Sequence, residues 1–369
     1  MEINLILISG IHTEGDENME LLKRLTEEVG APGFEHRIRD ILRKEFEASG
    51  ADVLTDRLGS IFGKKQGKGG NVKVMLAGHM DEVSFMISEI TSEGYLRFVP
   101  LGGWWDQVLL AQRVTIITDK KSYTGVIGSK PPHILRPEER NTVYPMREMF
   151  IDVGAKDATQ VKSWGIKVGD PIMPICPFEI LPDHDTILAK ALDNRIGCWL
   201  AVELLKALQN EQHPNTVFSG ATVQEEVGLR GAKTAPYVID PDVAIALDVG
   251  VAEDGPGGNP NKAKLGEGVL ITFLDSSMVP NTAFRNFVIQ TAEEHNIPYQ
   301  VDVMLGGGTD GGEFHLHKQG VPTIVIGVAS RYIHSHTSMI SKKDLENTLK
   351  LLVAIVKKLD NDTYESFLN

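Results

Sequence analysis

The sequence predicts an α/β fold interrupted by a β-rich insert. Helical and strand-like apolar patterns alternate up to about residue 83; short β-rich runs separated by turn residues fill 84–182; the alternation then returns and continues to the end. The economical reading is one α/β domain built from 1–83 and 183–369, with 1–18 as an N-terminal extension and 84–182 as a separate β-rich domain. A length of 369 residues suits two domains.

The elements follow in chain order. Leu21, Leu22, Leu25 and Val29 fall at helical spacing, so the first helix is expected to open at Met19 and to stop at Gly30 and Pro32. Ile38, Ile41, Leu42 and Phe46 mark a second amphipathic helix, and Val72–Ala77 reads as a buried strand. Within the insert, Leu96–Val99, Arg113–Thr118, Tyr123–Ile127 and Phe150–Val153 read as short strands. Beyond it come a helix from about Ile196 to Leu208, strands Val217–Val223 and Val243–Asp248, a helix over about Ala283–His295, and a buried strand at Pro322–Val328. Ser341 caps the last helix, with Asp344 as a capping-box variant; Leu345, Leu349, Leu352, Val356 and Leu359 form its stripe. There is no internal repeat.

Composition removes several function classes. Hydrophobic residues at 42% and charged residues at 24% describe a globular chain rather than a disordered or fibrous one. The net charge is 37 − 50 = −13, which gives no general attraction for nucleic-acid backbones or anionic membrane surfaces. No apolar run approaches the ~20 residues that span a bilayer. The apolar start Ile3-Asn4-Leu5-Ile6-Leu7-Ile8 lacks a preceding cation and follows Glu2, so it reads as an extension or edge strand rather than a signal peptide. Cys176 and Cys198 form no C-x-x-C pair, which points to a reducing, cytoplasmic setting.

The chemistry-bearing residues gather at strand ends and helix starts. Strand Val72–Ala77 runs into His79 and Asp81, which face one way in extended chain and suit a metal-binding imidazole with a carboxylate beside it. Asp193 stands just before a helix, where it could also be a simple cap. Glu225 and Glu226 close another strand; two adjacent carboxylates repel unless a cation relieves them, and one could bind metal while the other moves a proton. Asp248 closes an apolar strand, and His334 follows another. Open α/β sheets collect ligands beyond the carboxyl ends of their strands. His79 and His334 with Asp193, Asp248 and one of the two glutamates could hold two zinc-type ions, bridged by Asp193, with a shared water as the nucleophile.

The segments Ala77–Val83, Ala191–Arg195, Thr222–Ala232, Leu247–Val249, Gly307–Asp310 and Arg331–His334 together resemble the tetrahedral, or TET-type, di-metal aminopeptidases. The resemblance covers about 19–360. It implies a mixed sheet flanked by helices, of the zinc-peptidase type, interrupted by a barrel-like dimerisation domain. It implies that His79, Asp193 and Asp248 hold one metal, and that Asp193, Glu226 and His334 hold the other. Glu225 would be general base and acid, Asp81 would orient His79, and the Asp193–Asn194 peptide would be cis. Two divalent ions per subunit are implied, zinc first, with cobalt or manganese as alternatives. Small peptides would be the substrates, and dimers would assemble into a hollow tetrahedral dodecamer.

The rival reading is a glycoside hydrolase, because some members of that family carry endoglucanase names. Glycosidases need two carboxylates across a sugar bond, about 5–9.5 Å apart, and the adjacent pair Glu225–Glu226 suits a metal site better. His336, where some members have proline, is expected in a surface or supporting role. The glycine loop 306–312 lacks the Gly-Lys-Ser/Thr of a phosphate loop and could either admit a peptide backbone or be a tight turn. The turn Gly128–His133 is given a structural role.

Overall fold

The computed structural model describes residues 14–69 and 71–368. The expected N-terminal extension lies, for residues 1–13, outside the described residues. Helix α1 (Glu14–Glu27) begins before Met19, and α2 (His36–Ala48) follows. Leu22, Leu25, Ile38, Leu42 and Phe46 are fully buried, each contributing roughly 1.5–3 kcal/mol of hydrophobic stabilisation. Strands β1 (Asp52–Thr55) and β2 (Ile61–Gln66) form a hairpin, and β3 (Lys73–His79) enters the sheet centre.

The insert then folds as a unit. Strands β4 (Ser84–Ile90), β5 (Leu96–Leu101), β6 (Arg113–Ile117), β7 (Ser122–Ile127), β8 (Ile151–Asp152) and β9 (Pro171–Pro174), with helix α3 (Ala158–Ser163) before β9, close a barrel in the order β4-β5-β8-β7-β6-β9. Every second residue points inward: Phe85 and Ile87, Leu96 and Phe98, Val114 and Ile116 are all buried. The barrel has no free edge to protect.

Beyond the barrel, β10 (Glu179–Ile180) and β11 (Thr186–Ala189) rejoin the main sheet. Then come α4 (Leu192–Ala207), β12 (Thr216–Thr222), α5 (Arg230–Ile239), β13 (Val243–Val251), β14 (Val269–Leu274), α6 (Thr282–Glu294), β15 (Tyr299–Val303), α7 (Gly311–Phe314), β16 (Thr323–Arg331), β17 (Ser338–Ser341), α8 (Lys342–Lys358) and α9 (Asn361–Glu365). Among the described residues the main sheet runs β1-β2-β12-β3-β13-β16-β17-β11-β10, with β14 and β15 branching from β16. β12, β3, β13 and β16 are parallel; the outer pairings are antiparallel, except β14 with β15. The sheet is therefore mixed, as expected.

The parallel strands are buried on both faces. Val74, Leu76, Ile245 and Leu247 pack with α1, α2, α4, α6 and α8, whereas Met75, Ala77, Ala244 and Ala246 pack with α5 and α7. Helix α4 crosses β3 at backbone contact: a Cβ on Gly78 would lie 2.7 Å from the Gly197 backbone. Ser341 caps α8 by accepting the Asp344 N–H at 3.2 Å. The capping-box expectation for Asp344 needs correction. Its carboxylate instead accepts Gly266 N–H at 2.7 Å and Gly268 N–H at 2.8 Å, tying α8 to the turn before β14. Among the described residues no helix is long and apolar enough to cross a membrane.

Candidate metal centre

The parallel strands bring the candidate residues to one end of the sheet. His79 ends β3 opposite Thr222, the last residue of β12. Ala77 pairs with Ala246, so His79 and Asp248, each two residues further on, lie on neighbouring parallel strands. After β12 the chain turns through Gln224, at φ 56°, and delivers Glu225 and Glu226 above the strand ends. Asp193 stands at the start of α4, where the Asp193–Asn194 peptide is cis. Asn194 pins that end to β13 by donating to the Leu247 carbonyl at 2.7 Å and accepting Gly197 N–H at 3.0 Å. His334 sits in the β16–β17 loop with left-handed backbone at Tyr332 and at His334 itself.

Both histidines are arranged alike. His79 Nδ1 lies 3.0 Å from the Asp81 carbonyl oxygen, and His334 Nδ1 lies 2.9 Å from the Gly103 carbonyl oxygen. A carbonyl can only accept, so Nδ1 carries a proton on each ring and the neutral form leaves the Nε2 lone pair free to bind a cation. His79 Nε2 faces Asp193 Oδ1 at 3.2 Å and Glu225 Oε2 at 3.7 Å. His334 Nε2 faces Asp193 Oδ2 at 3.6 Å and Glu226 Oε2 at 3.7 Å. Asp81 is closer to the glutamate turn than to the His79 ring. Its two oxygens each accept a backbone N–H at 3.0 Å, from Glu225 and Glu226, while Oδ1 is 3.5 Å from His79 Nδ1.

Electrostatics favour a cation here. Donor atoms of His79, Asp193 and Glu226 lie within 4.8 Å of one another, as do those of His79, Glu225 and Asp248. Burial, reinforced by neighbouring carboxylates, drives Glu225, Glu226 and Asp248 well above the ordinary carboxyl range. Burial alone would lower His79, but the Glu225, Asp193 and Asp81 groups outweigh it and raise it well above the usual imidazole value. Burial also opposes ionisation of Asp193, yet the His79 hydrogen bond and the charges of His79 and His334 prevail and lower it. Glu226 Oε1 is buried with no hydrogen-bond partner. Carboxylates crowded this way are relieved by a hard or borderline divalent ion, and the nitrogen and oxygen donor set fits one.

Sequence reading singled out no supporting layer beneath these groups. Buried Glu82 receives Lys190 Nζ at 2.7 and 2.8 Å and Arg195 at 3.1 Å. Arg195 also donates to the carbonyls of Met80 at 2.8 Å and of Leu25, joining α1, the end of β3 and the start of α4. The paired acids Asp81 and Glu82 were a readable signal; Lys190, isolated between alanines, gave none. Asp310, in the glycine loop, is buried and bonded to Thr222 Oγ1, and burial raises its carboxyl to about 7. His336 lines a small cleft with Phe85 and Trp104 of the insert.

A family model described as M42 glutamyl aminopeptidase matches residues 59–351. The glutamyl aminopeptidase of Lactococcus lactis is 38% identical over 94% of this chain and 98% of its own. The lysyl aminopeptidase of Pyrococcus furiosus is 33% identical over 92% of this chain and 97% of its own. Among solved structures, a TET aminopeptidase from a marine sediment Thaumarchaeota archaeon superposes with TM-score 0.93 at 44% identity, covering 96% of this chain and 100% of that one. The TET1 peptidase of Pyrococcus horikoshii, which can assemble into a tetrahedron or a large octahedral shell, superposes with TM-score 0.84 at 32% identity, covering 93% and 100%.

Proposed function

Because the chain belongs to the M42 glutamyl aminopeptidase family, we propose that it removes N-terminal residues from small peptides at the centre around Asp193, as a two-cation metallo-aminopeptidase. The observation that carries this is the splayed Asp193 carboxylate. Oδ1 faces His79 and Oδ2 faces His334, as a bridge between two cations requires. His79, Asp193 and Asp248 would hold one ion, and Asp193, Glu226 and His334 the other. Zinc suits this donor set first, with cobalt and manganese as alternatives.

Cations bound there would polarise the scissile carbonyl and make the attacking water more acidic. The chain's own groups do the rest. Glu225, with Oε2 3.7 Å from His79 Nε2, takes the water's proton and delivers it to the departing amine. Asp81 fixes the Glu225 and Glu226 backbones, and so the points from which both carboxylates reach into the centre. The glycoside-hydrolase alternative is not favoured. Its two carboxylates must stand about 5–9.5 Å apart across a sugar bond, whereas the acids here crowd around His79 and His334.

The β-rich insert, expected over 84–182 and closed as a barrel by strands between Ser84 and Pro174, serves as the dimerisation domain, and the protein is a homo-oligomer of the tetrahedral, dodecameric kind. Two free cysteines suit a cytoplasmic setting, and the net charge of −13 gives no reason to expect nucleic-acid or membrane partners. The decisive assay compares aminoacyl anilides and cellulose oligomers, each with and without chelator. Chelator-sensitive release from the anilides alone is expected. Elemental analysis should find two ions per chain in wild type and in Glu225→Ala, whose turnover is nearly abolished; wild-type turnover in that variant would remove Glu225 from its role.

A further inference from the structure

We propose that the carbonyl of Gly103, on the rim of the barrel, positions His334, so that the cation place shared by His334 and Glu226 is complete only when the barrel rim is seated against it. The proposal rests on the two-cation reading above.

The two histidines depend on different parts of the molecule. His79 is 2% exposed and donates to the carbonyl of Asp81, two residues along its own chain. His334 has a side chain 42% exposed and lies in a left-handed stretch of loop, so burial does not fix its ring. Its Nδ1 proton goes instead to Gly103, which belongs to the insert. That bond selects the tautomer whose Nε2 lone pair points towards Asp193 and Glu226.

The barrel backbone approaches the same place twice. A Cβ on Gly103 would sit 3.2 Å from His334 Nδ1, and a Cβ on Gly102 would sit 3.2 Å from Glu226 Oε2. Gly102 also has φ +93°, a conformation that side chains resist. Two consecutive glycines therefore press bare backbone against Glu226 and His334, two of the three residues assigned to one ion. The turn is anchored from behind. Leu101 pairs with Ser84 at the base of the β4–β5 hairpin, and Trp104 stacks on Phe85 at 4.6 Å and donates to the Ser84 carbonyl at 3.2 Å. Ser84 follows the His79–Glu82 segment closely, so the hairpin base touches both halves of the centre.

Gly103 is thus a positioning residue, and disturbing it should affect one ion and spare the other. The experiment is calorimetric titration of Zn²⁺ into chelator-stripped full-length protein, with elemental analysis after dialysis. Wild type is expected to take up two ions. Gly103→Ala should weaken one of them by about tenfold or more and leave the other within about twofold. Trp104→Leu, which removes the anchoring N–H without adding bulk at His334, should produce the same selective loss and serves if Gly103→Ala fails to fold. Unchanged constants in either folded variant, or equal weakening of both ions, would overturn the proposal. A wild type that binds no pair of ions would overturn it together with the functional reading, and is told apart because it needs no substitution.

Discussion

Asp81 holds Glu225 by its backbone, not by its side chain: Asp81 Oδ1 accepts the Glu225 N–H at 3.0 Å, while Oδ2 does the same for Glu226. A carboxylate offers two acceptors and an amide only one, so Asp81→Asn must leave one of these buried N–H groups facing a second donor. Each such loss costs about 1–3 kcal/mol. Activity is expected to fall roughly 10–100-fold through kcat. A fall confined to KM would place the role of Asp81 elsewhere.

Glu82 carries the two buried cations Lys190 and Arg195. Glu82→Gln would leave both without their counter-charge, at a cost of roughly 3–5 kcal/mol. Urea denaturation should register that loss, together with weaker ion binding, because Arg195 adjoins the Asp193–Asn194 pair. A stability change below about 0.5 kcal/mol, the scale of ordinary surface substitutions, would contradict the network.

Removing the ions should destabilise the protein, since ligands that bind only the native state stabilise it by mass action. The sign of the pH effect follows from the raised groups. Burial lifts Glu225, Glu226 and Asp248, and the surrounding carboxylates lift His79, so protons compete with cations at these donors. Ion binding should tighten as pH rises and should release protons, which titrations in buffers of different ionisation enthalpy measure directly. Binding that is independent of pH between about 6 and 8 would speak against this donor set.

Asp310 gives a separable pH signature in ion-free protein. Burial raises its carboxyl from 3.8 to about 7. A folded-state value above the unfolded one means that its contribution to stability is complete below about pH 4 and lost as pH rises through about 7. Thr222 has one hydroxyl proton for Gly78 O, at 3.2 Å, and Asp310 Oδ2; a neutral Asp310 that donates to Thr222 satisfies both. Asp310→Asn keeps such a donor, so it should lose the part of the stability decline between about pH 4 and 7 that wild type owes to this group, on the order of a few kcal/mol. Parallel wild-type and variant curves across that range would count against a neutral Asp310.

Much of this arrangement was legible because parallel strands have a strong sequence signature. Val72–Ala77, Val217–Val223, Val243–Asp248 and Pro322–Val328 are mainly apolar runs, and the structure joins them side by side as β3, β12, β13 and β16. His79, Asp193, Glu225, Glu226, Asp248 and His334 follow or adjoin those runs, and the structure brings all six together. The antiparallel margins were less visible. β1, β10 and β17 are two to four residues long, and β15 (Tyr299–Val303) mixes polar with apolar positions at an edge. Helix α5 presents only small or interrupted apolar positions, Ala232, Ala235 and Ile239, with Pro236 inside it. The carbonyl of Gly103 was invisible in another way, since a backbone group has no residue type to read and only the closed barrel carries it to His334.

The pairing of β3 has a consequence for synthesis. Its sheet neighbours are β12 and β13, which begin at Thr216 and Val243. As the polypeptide leaves the ribosome, an apolar strand ending at His79 must wait, unsheltered, while the whole barrel emerges and closes. Contacts this distant along the chain slow maturation and leave sticky segments open to misassociation. Nascent chains halted before Thr216 should therefore hold a finished barrel beside an unfinished enzyme and should be the species that molecular chaperones retain.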